Sequence, residues 1–182
     1  MLALQFVLGI LGVATWNMAL SVPGAVLGGF AAMYTAFLFA QAKGRDLWQN
    51  PALPLHLLTQ AALAGAAVYS VAALFLPLSG PSLAVVHATL LASLALHAVL
   101  IVSEAVIPHA ILDARRAAHQ MMYGKYRGFF WTGLVAGALL PLALGFLSGP
   151  AVPPALAGAL ALGGLLAYEH AFVQAGQSVP LS

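Results

Sequence analysis

The chain has 182 residues, 63% of them hydrophobic and only 5% charged, with a formal charge of +2 and no cysteine. A soluble domain carries about 25% charged residues, so six Lys/Arg and four Asp/Glu exclude a soluble fold of this size. Without cysteine the chain has no disulfide, no thiolate-ligated iron–sulfur cluster and no catalytic thiol. The mean hydropathy of +1.00 and the lack of alternating ten-residue segments leave an all-α polytopic membrane protein and exclude a membrane β-barrel. Residues 1–182 read as one transmembrane helical domain of about six spans, with no water-soluble domain, long linker or internal repeat.

Residues 2–18 form the first apolar run. No basic n-region precedes it, so it is expected to act as its own insertion signal. Ser21-Val22-Pro23-Gly24 reads as a turn, and residues 25–42 as the second span. Lys43 to Pro51 is a charged loop in which Trp48 is placed as an interfacial anchor. Residues 52–76 are the third span, and Pro77 to Pro81 turns the chain. Residues 82–107 are the fourth span, and Pro108 weakens the helix just past Glu104. His109 to Arg127 is the longest polar stretch, expected to be an interfacial helix up to Tyr123 that breaks at Gly124. Residues 129–147 are the fifth span, kinked at Pro141. Residues 148–154 turn, and residues 155–175 are the sixth span.

All six Lys/Arg residues fall in the loops after the second and fourth runs. The positive-inside rule makes that side cytoplasmic, and six spans put both termini there. Fusing the first two runs into one bent span would move the N-terminus across. It would leave the two basic loops on one side.

The chemistry-bearing residues are few. Ser93, His97 and Glu104 share one side of a helix at i, i+4 and i+11. A charged side chain at the bilayer centre costs roughly 2.5–3.5 kcal/mol on insertion scales, so an intramembrane carboxylate reads first as functional. Glu104 with His97 suits proton transfer or a hydrogen bond to a quinone; a buried structural pair is the other reading. Together with His87 they form a broken polar ladder along the fourth span. Tyr168-Glu169-His170, with Gln174 and Gln177, is either a second proton-handling group, in which Glu169 and His170 act, or a hydrated helix end. His56 and Gln60 begin the third span at matching depth. His56 paired with His170 is the arrangement a bis-histidine haem needs. Gly133-x-x-x-Gly137, Ala64-Gly65-Ala66-Ala67 and Ala159-x-x-x-Gly163 allow close helix packing. Arg115, Arg116, Lys125 and Arg127 suit anionic lipid contact or docking of a soluble subunit. The sequence has no Ser/His/Asp set, phosphate loop or HExxH pattern and gives no support for nucleic-acid binding.

Several stretches in order resemble one family. They are Tyr34-Thr35, Asp46-Leu47-Trp48-Gln49-Asn50-Pro51-Ala52-Leu53-Pro54-Leu55, Ala64-Gly65-Ala66-Ala67, and Glu104 followed by His109. Gly124-Lys125-Tyr126-Arg127-Gly128-Phe129-Phe130-Trp131 leading to Leu140-Pro141-Leu142, and the tail Val173 to Ser182, continue the pattern. Together they are similar to the NrfD/polysulfide reductase membrane subunits (PsrC-like). The resemblance implies a multi-pass anchor in a bacterial inner membrane, beside an iron–sulfur electron-transfer subunit and a molybdopterin catalytic subunit. It implies menaquinone or ubiquinone as redox partner, no haem in the anchor and, in some members, proton conduction. By resemblance Glu104 maps onto a polar position in a later family helix; the residues themselves suggest proton transfer at Glu104, His97, Glu169 and His170 and quinone binding near His56, Gln60 and Trp48. Family members have eight or more spans, so about six implies a short or split member. Another membrane polypeptide would then supply the missing N-terminal helices and part of the quinone site. The alternatives are a cytochrome b-like haem anchor and a small transporter or structural assembly subunit.

Overall fold

The computed structural model describes residues 2–107, 109–146 and 152–179. Among them the regular structure is α-helical, apart from one 3₁₀ turn and one π-helical segment, with short turns between the helices. The α-helices are α1 (Leu2–Ile10), α2 (Ala14–Ala40), α3 (Leu53–Ala72), α4 (Gly80–Val106), α5 (Leu112–Met122), α6 (Arg127–Trp131), α7 (Leu140–Phe146) and α8 (Val152–Ser178). The π segment Thr132–Leu139 joins α6 to α7 in one rod. Among the described residues, five helices are long and apolar enough to cross a membrane: Met18–Ala40, Leu53–Ala72, Gly80–Val106, Arg127–Phe146 and Pro154–Ser178. The protein is a helical membrane bundle.

The first two runs differ from expectation. No turn forms at 21–24; α2 runs straight through Pro23. Apolar surroundings tolerate an intrahelical proline when hydroxyls and neighbouring groups re-satisfy the freed backbone. The break comes instead at Gly12, where φ is +69°. The Val13 amide donates to the Leu8 carbonyl at 3.0 Å and the Gly12 amide to Gly9 at 3.2 Å. That pair of bonds closes a helix through a left-handed glycine. The nine residues of α1 extend ~13 Å at 1.5 Å per residue, too short to cross a ~30 Å hydrocarbon core. It folds back so that Gln5 lies over Gly24.

α3 and α8 form the centre of the bundle. They pack on each other, α3 also holds α2 and α4, and α8 also holds the α6–α7 rod and α5. Glycine permits the tightest crossing: Gly137 of the rod and Gly164 of α8 meet backbone to backbone, and Gly133 lies against Gly164 and Tyr168. Gly158 lies against the Ala67 carbonyl of α3. Ala159-x-x-x-Gly163 makes no close contact within the bundle. Both residues are exposed, because α8 turns its Ala157, Ala161 and Gly164 edge inward instead. Likewise Gly65 faces outward, while Ala66 and Ala67 are buried. The π segment precedes the buried Pro141. A proline ring clashes with the carbonyl four residues back and offers no N–H, and the wider turn, in which the Leu140 amide reaches Val135, takes up that misfit.

One end of the bundle is tied by side chains. Arg45 Nη1 donates to the carbonyls of Gly176, Gln177 and Val179 at 3.2, 2.9 and 2.8 Å. A cation at a helix C-terminus meets both unpaired carbonyls and the negative dipole end. Arg45→Ala should cost ~1–2 kcal/mol of stability, read as a lower thermal midpoint in detergent, and Arg45→Lys should recover part of it. Trp48 is no exposed anchor: it is buried against Gly176 and edge-on to Phe39, with ring centroids 5.0 Å apart. Gly176, with no side chain, leaves the slot that the indole fills. α5 is amphipathic, burying Ala114, Ala117, Ala118, Met121 and Met122 and exposing Arg115 and Arg116. Trp131 Nε1 closes its C-terminus by donating to the Met122 carbonyl at 3.0 Å.

Candidate functional site

Asn50 and Pro51 set the entrance of α3. The Asn50 Oδ1 accepts from the Ala52 amide at 2.9 Å, a local Asx turn. That turn aims the Asn50 amide at α4, where Nδ2 donates to Glu104 Oε2. The other carboxylate oxygen lies 3.2 Å from His109 Nε2, and His109 Nδ1 lies 3.2 Å from the Ile107 carbonyl. Glu104, 6% exposed, is thus held by groups from both basic loops, which places those loops at the same end of the bundle. Pro108 lies outside the described residues.

A cleft of about 400 Å³ opens onto this carboxylate. Its walls include Asp46, Gln49, Asn50, Ser103, Glu104 and His109 among apolar side chains. That is the size range of a small-molecule pocket, and its few converging polar groups are typical of one. None of His56, Gln60 and Trp48 lines it.

Deeper in the bundle three helices bring His56 (α3), His97 (α4) and Tyr168 (α8) together. The ring centroids are 5.3 Å apart for His56–His97, 5.2 Å for His56–Tyr168 and 5.4 Å for His97–Tyr168. Exposure is 4%, 1% and 1% respectively. His56 Nε2, both ring nitrogens of His97 and the Tyr168 hydroxyl have no hydrogen-bond partner among the described residues. Buried polar groups are overwhelmingly hydrogen-bonded in folded proteins, so four orphaned atoms in one cluster mark a place for something polar. Tyr168 lies within electrostatic reach of Glu104 and Glu169. Seven residues separate His97 from Glu104, ~10 Å along α4, so the cluster lies directly beneath the cleft.

Glu169 does not join Glu104; the Gln60 side chain hydrogen-bonds it instead. His170 points away from the interior, 4.5 Å from the Phe129 ring and 6.4 Å from Tyr126, centroid to centroid. The His56–His170 pair needed for a haem is therefore not formed, because residues 168 and 170 of a helix face different sides. Gln177 is exposed on the same outer side. Among the described residues no group of three or more His, Asp and Glu is placed to hold a metal ion.

One member of the site escaped sequence reasoning. Asn50 lies in a stretch that reads as a charged loop, although Asn-Pro at a helix entrance leaves the amide free to reach a neighbour. Tyr168 stands out in the sequence with Glu169 and His170, either as a proton-handling group or as a hydrated helix end, but its grouping with His56 and His97 does not show there. In comparisons with protein-family models, curated proteins and solved structures, nothing matches the chain.

Proposed function

We propose that the chain is a membrane anchor subunit of a quinone-linked oxidoreductase of the NrfD/polysulfide reductase kind. An iron–sulfur subunit and a molybdopterin catalytic subunit would carry the electrons, and a further membrane polypeptide would complete the helix set. The observation that supports this reading best is Glu104, held by Asn50 and His109 at the foot of a ligand-sized cleft. The unpartnered His56, His97 and Tyr168 lie behind it.

The residues fit a quinone head group. Its carbonyl oxygens accept hydrogen bonds, and the cleft offers the second N–H of the Asn50 amide as a donor. A bound quinone would supply two-electron, two-proton redox chemistry. Glu104 would exchange the proton with the head group, His109 would pass it to the surface, and Asn50 would fix the carboxylate in place. Positive-inside logic puts this end, with Lys43, Arg45, Arg115, Arg116, Lys125 and Arg127, on the cytoplasmic side of a bacterial inner membrane. The C-terminus of α8, bound by Arg45, lies there too. With α2 as one crossing and α1 too short for another, five spans replace six and the start of α2 lies on the opposite side.

Affinity purification of the tagged chain from its native membrane, followed by metal analysis, tests the assignment. Stoichiometric iron and molybdenum in co-purifying subunits, with quinol-dependent reduction of the iron–sulfur centres, is the expected result. A chain that purifies alone and metal-free removes the assignment. An α-band in its reduced spectrum would transfer it to a haem anchor.

A further inference from the structure

The polar interior stops part-way through the bundle. Going down α4 from His97, the next inward residues are Leu94, Ser93 and Leu90, the two leucines fully buried. His87 follows ten residues away, ~15 Å along the axis. Around those leucines Leu63, Ala66 and Ala67 of α3 and Ala157 and Ala161 of α8 close an apolar layer. Leu142, Leu144, Leu162 and Leu165 pack against it. The two buried hydroxyls at this level are committed to their own helices. Ser93 donates to the Thr89 carbonyl at 2.6 Å and Ser70 to Ala66 at 2.8 Å. Gly158 sits directly on the Ala67 carbonyl. A buried water needs two to four polar partners, and this layer supplies almost none. The titratable groups therefore divide: Glu104, His109, His56, His97, Tyr168 and Glu169 lie on the side of the basic loops, and His87 lies beyond the layer beside Gly145.

We propose that Glu104 is a one-sided proton site, open to the basic-loop face through its cleft, and that the leucine–alanine layer seals the bundle interior behind it from the opposite face. The chain by itself then conducts no protons across the membrane, and protons exchanged at the cleft come from one side only. This rests on Glu104 exchanging protons, and not on the identity of the redox partner.

The test uses the purified protein, with any subunits that accompany it, in liposomes enclosing a pH-sensitive dye under a potassium diffusion potential. Wild type is expected to leak protons no faster than protein-free liposomes. Leu94→Asn combined with Leu63→Ser should raise the flux several-fold, and adding Glu104→Gln should abolish the rise. A wild-type flux that Glu104→Gln removes would overturn the seal, as would a folded double variant that stays tight. A second measurement needs no altered layer: a membrane-impermeant carbodiimide should modify Glu104 only when applied from the basic-loop side. Modification from the opposite side would sink the proposal. Neither assay contains quinone, so failure here is distinct from failure of the oxidoreductase assignment.

Discussion

Glu104→Gln is expected to lower quinol-linked turnover of the assembled complex by ~100-fold, the low end of what a positioned proton-transfer group contributes. The substitution keeps shape and keeps an oxygen to accept from Asn50. It removes the group that can take up a proton 3.2 Å from His109. Assembly and metal content should therefore persist, and activity with a soluble dye donor that bypasses the membrane subunit should be unchanged. Glu104→Asp, with the carboxylate withdrawn by one methylene, should fall between wild type and Gln. Equal quinol turnover in wild type and Glu104→Gln would make the carboxylate a packing element and leave the cleft without a proton partner.

The second large effect concerns stability. Gly137→Leu should abolish the folded protein, because Gly137 meets the backbone of Gly164 with no space between them. Even Gly137→Ala puts a methyl onto that backbone and should cost ~1–3 kcal/mol, the usual range for overpacking. Gly163→Ala is the control: nothing lies within 4 Å of a Cβ there, and the better helix former should leave stability unchanged or slightly raised. Thermal unfolding in detergent separates the three. Comparable midpoints for Gly137→Ala and Gly163→Ala would mean that the rod and α8 slide apart freely.

The fold class was legible because composition alone decides between water and lipid. The inward side of α4 was legible because polar residues are rare enough there that Ser93, His97 and Glu104 define a face. On α8 the same logic failed. In lipid both the outer and inner sides of a helix are apolar, so hydrophobic periodicity loses the contrast that it has in water. Small residues at 157, 158, 159, 161, 163 and 164 offered several registers, and only packing against α3 and the rod chooses among them. Pro23 misled because proline ends helices in water more readily than in a bilayer. Trp48 misled because its burial depends on Gly176, far along the chain. The candidate site was visible as separate residues on three helices. Its grouping was not, since His56, His97 and Tyr168 become neighbours only through helix adjacency.

The π segment of the rod has a consequence for how the chain tolerates change. A π turn holds one residue more than an α turn over a similar rise. Removing one residue between Thr132 and Leu139 would let the hydrogen-bond ladder close in regular α form, so local secondary structure would survive. Pro141 to Phe146 would keep nearly their present orientation about the axis, but the α form would return the buried Pro141 to its clash with the carbonyl four residues back. The extra residue of the π turn thus serves the proline and leaves the second half of the rod docked in register.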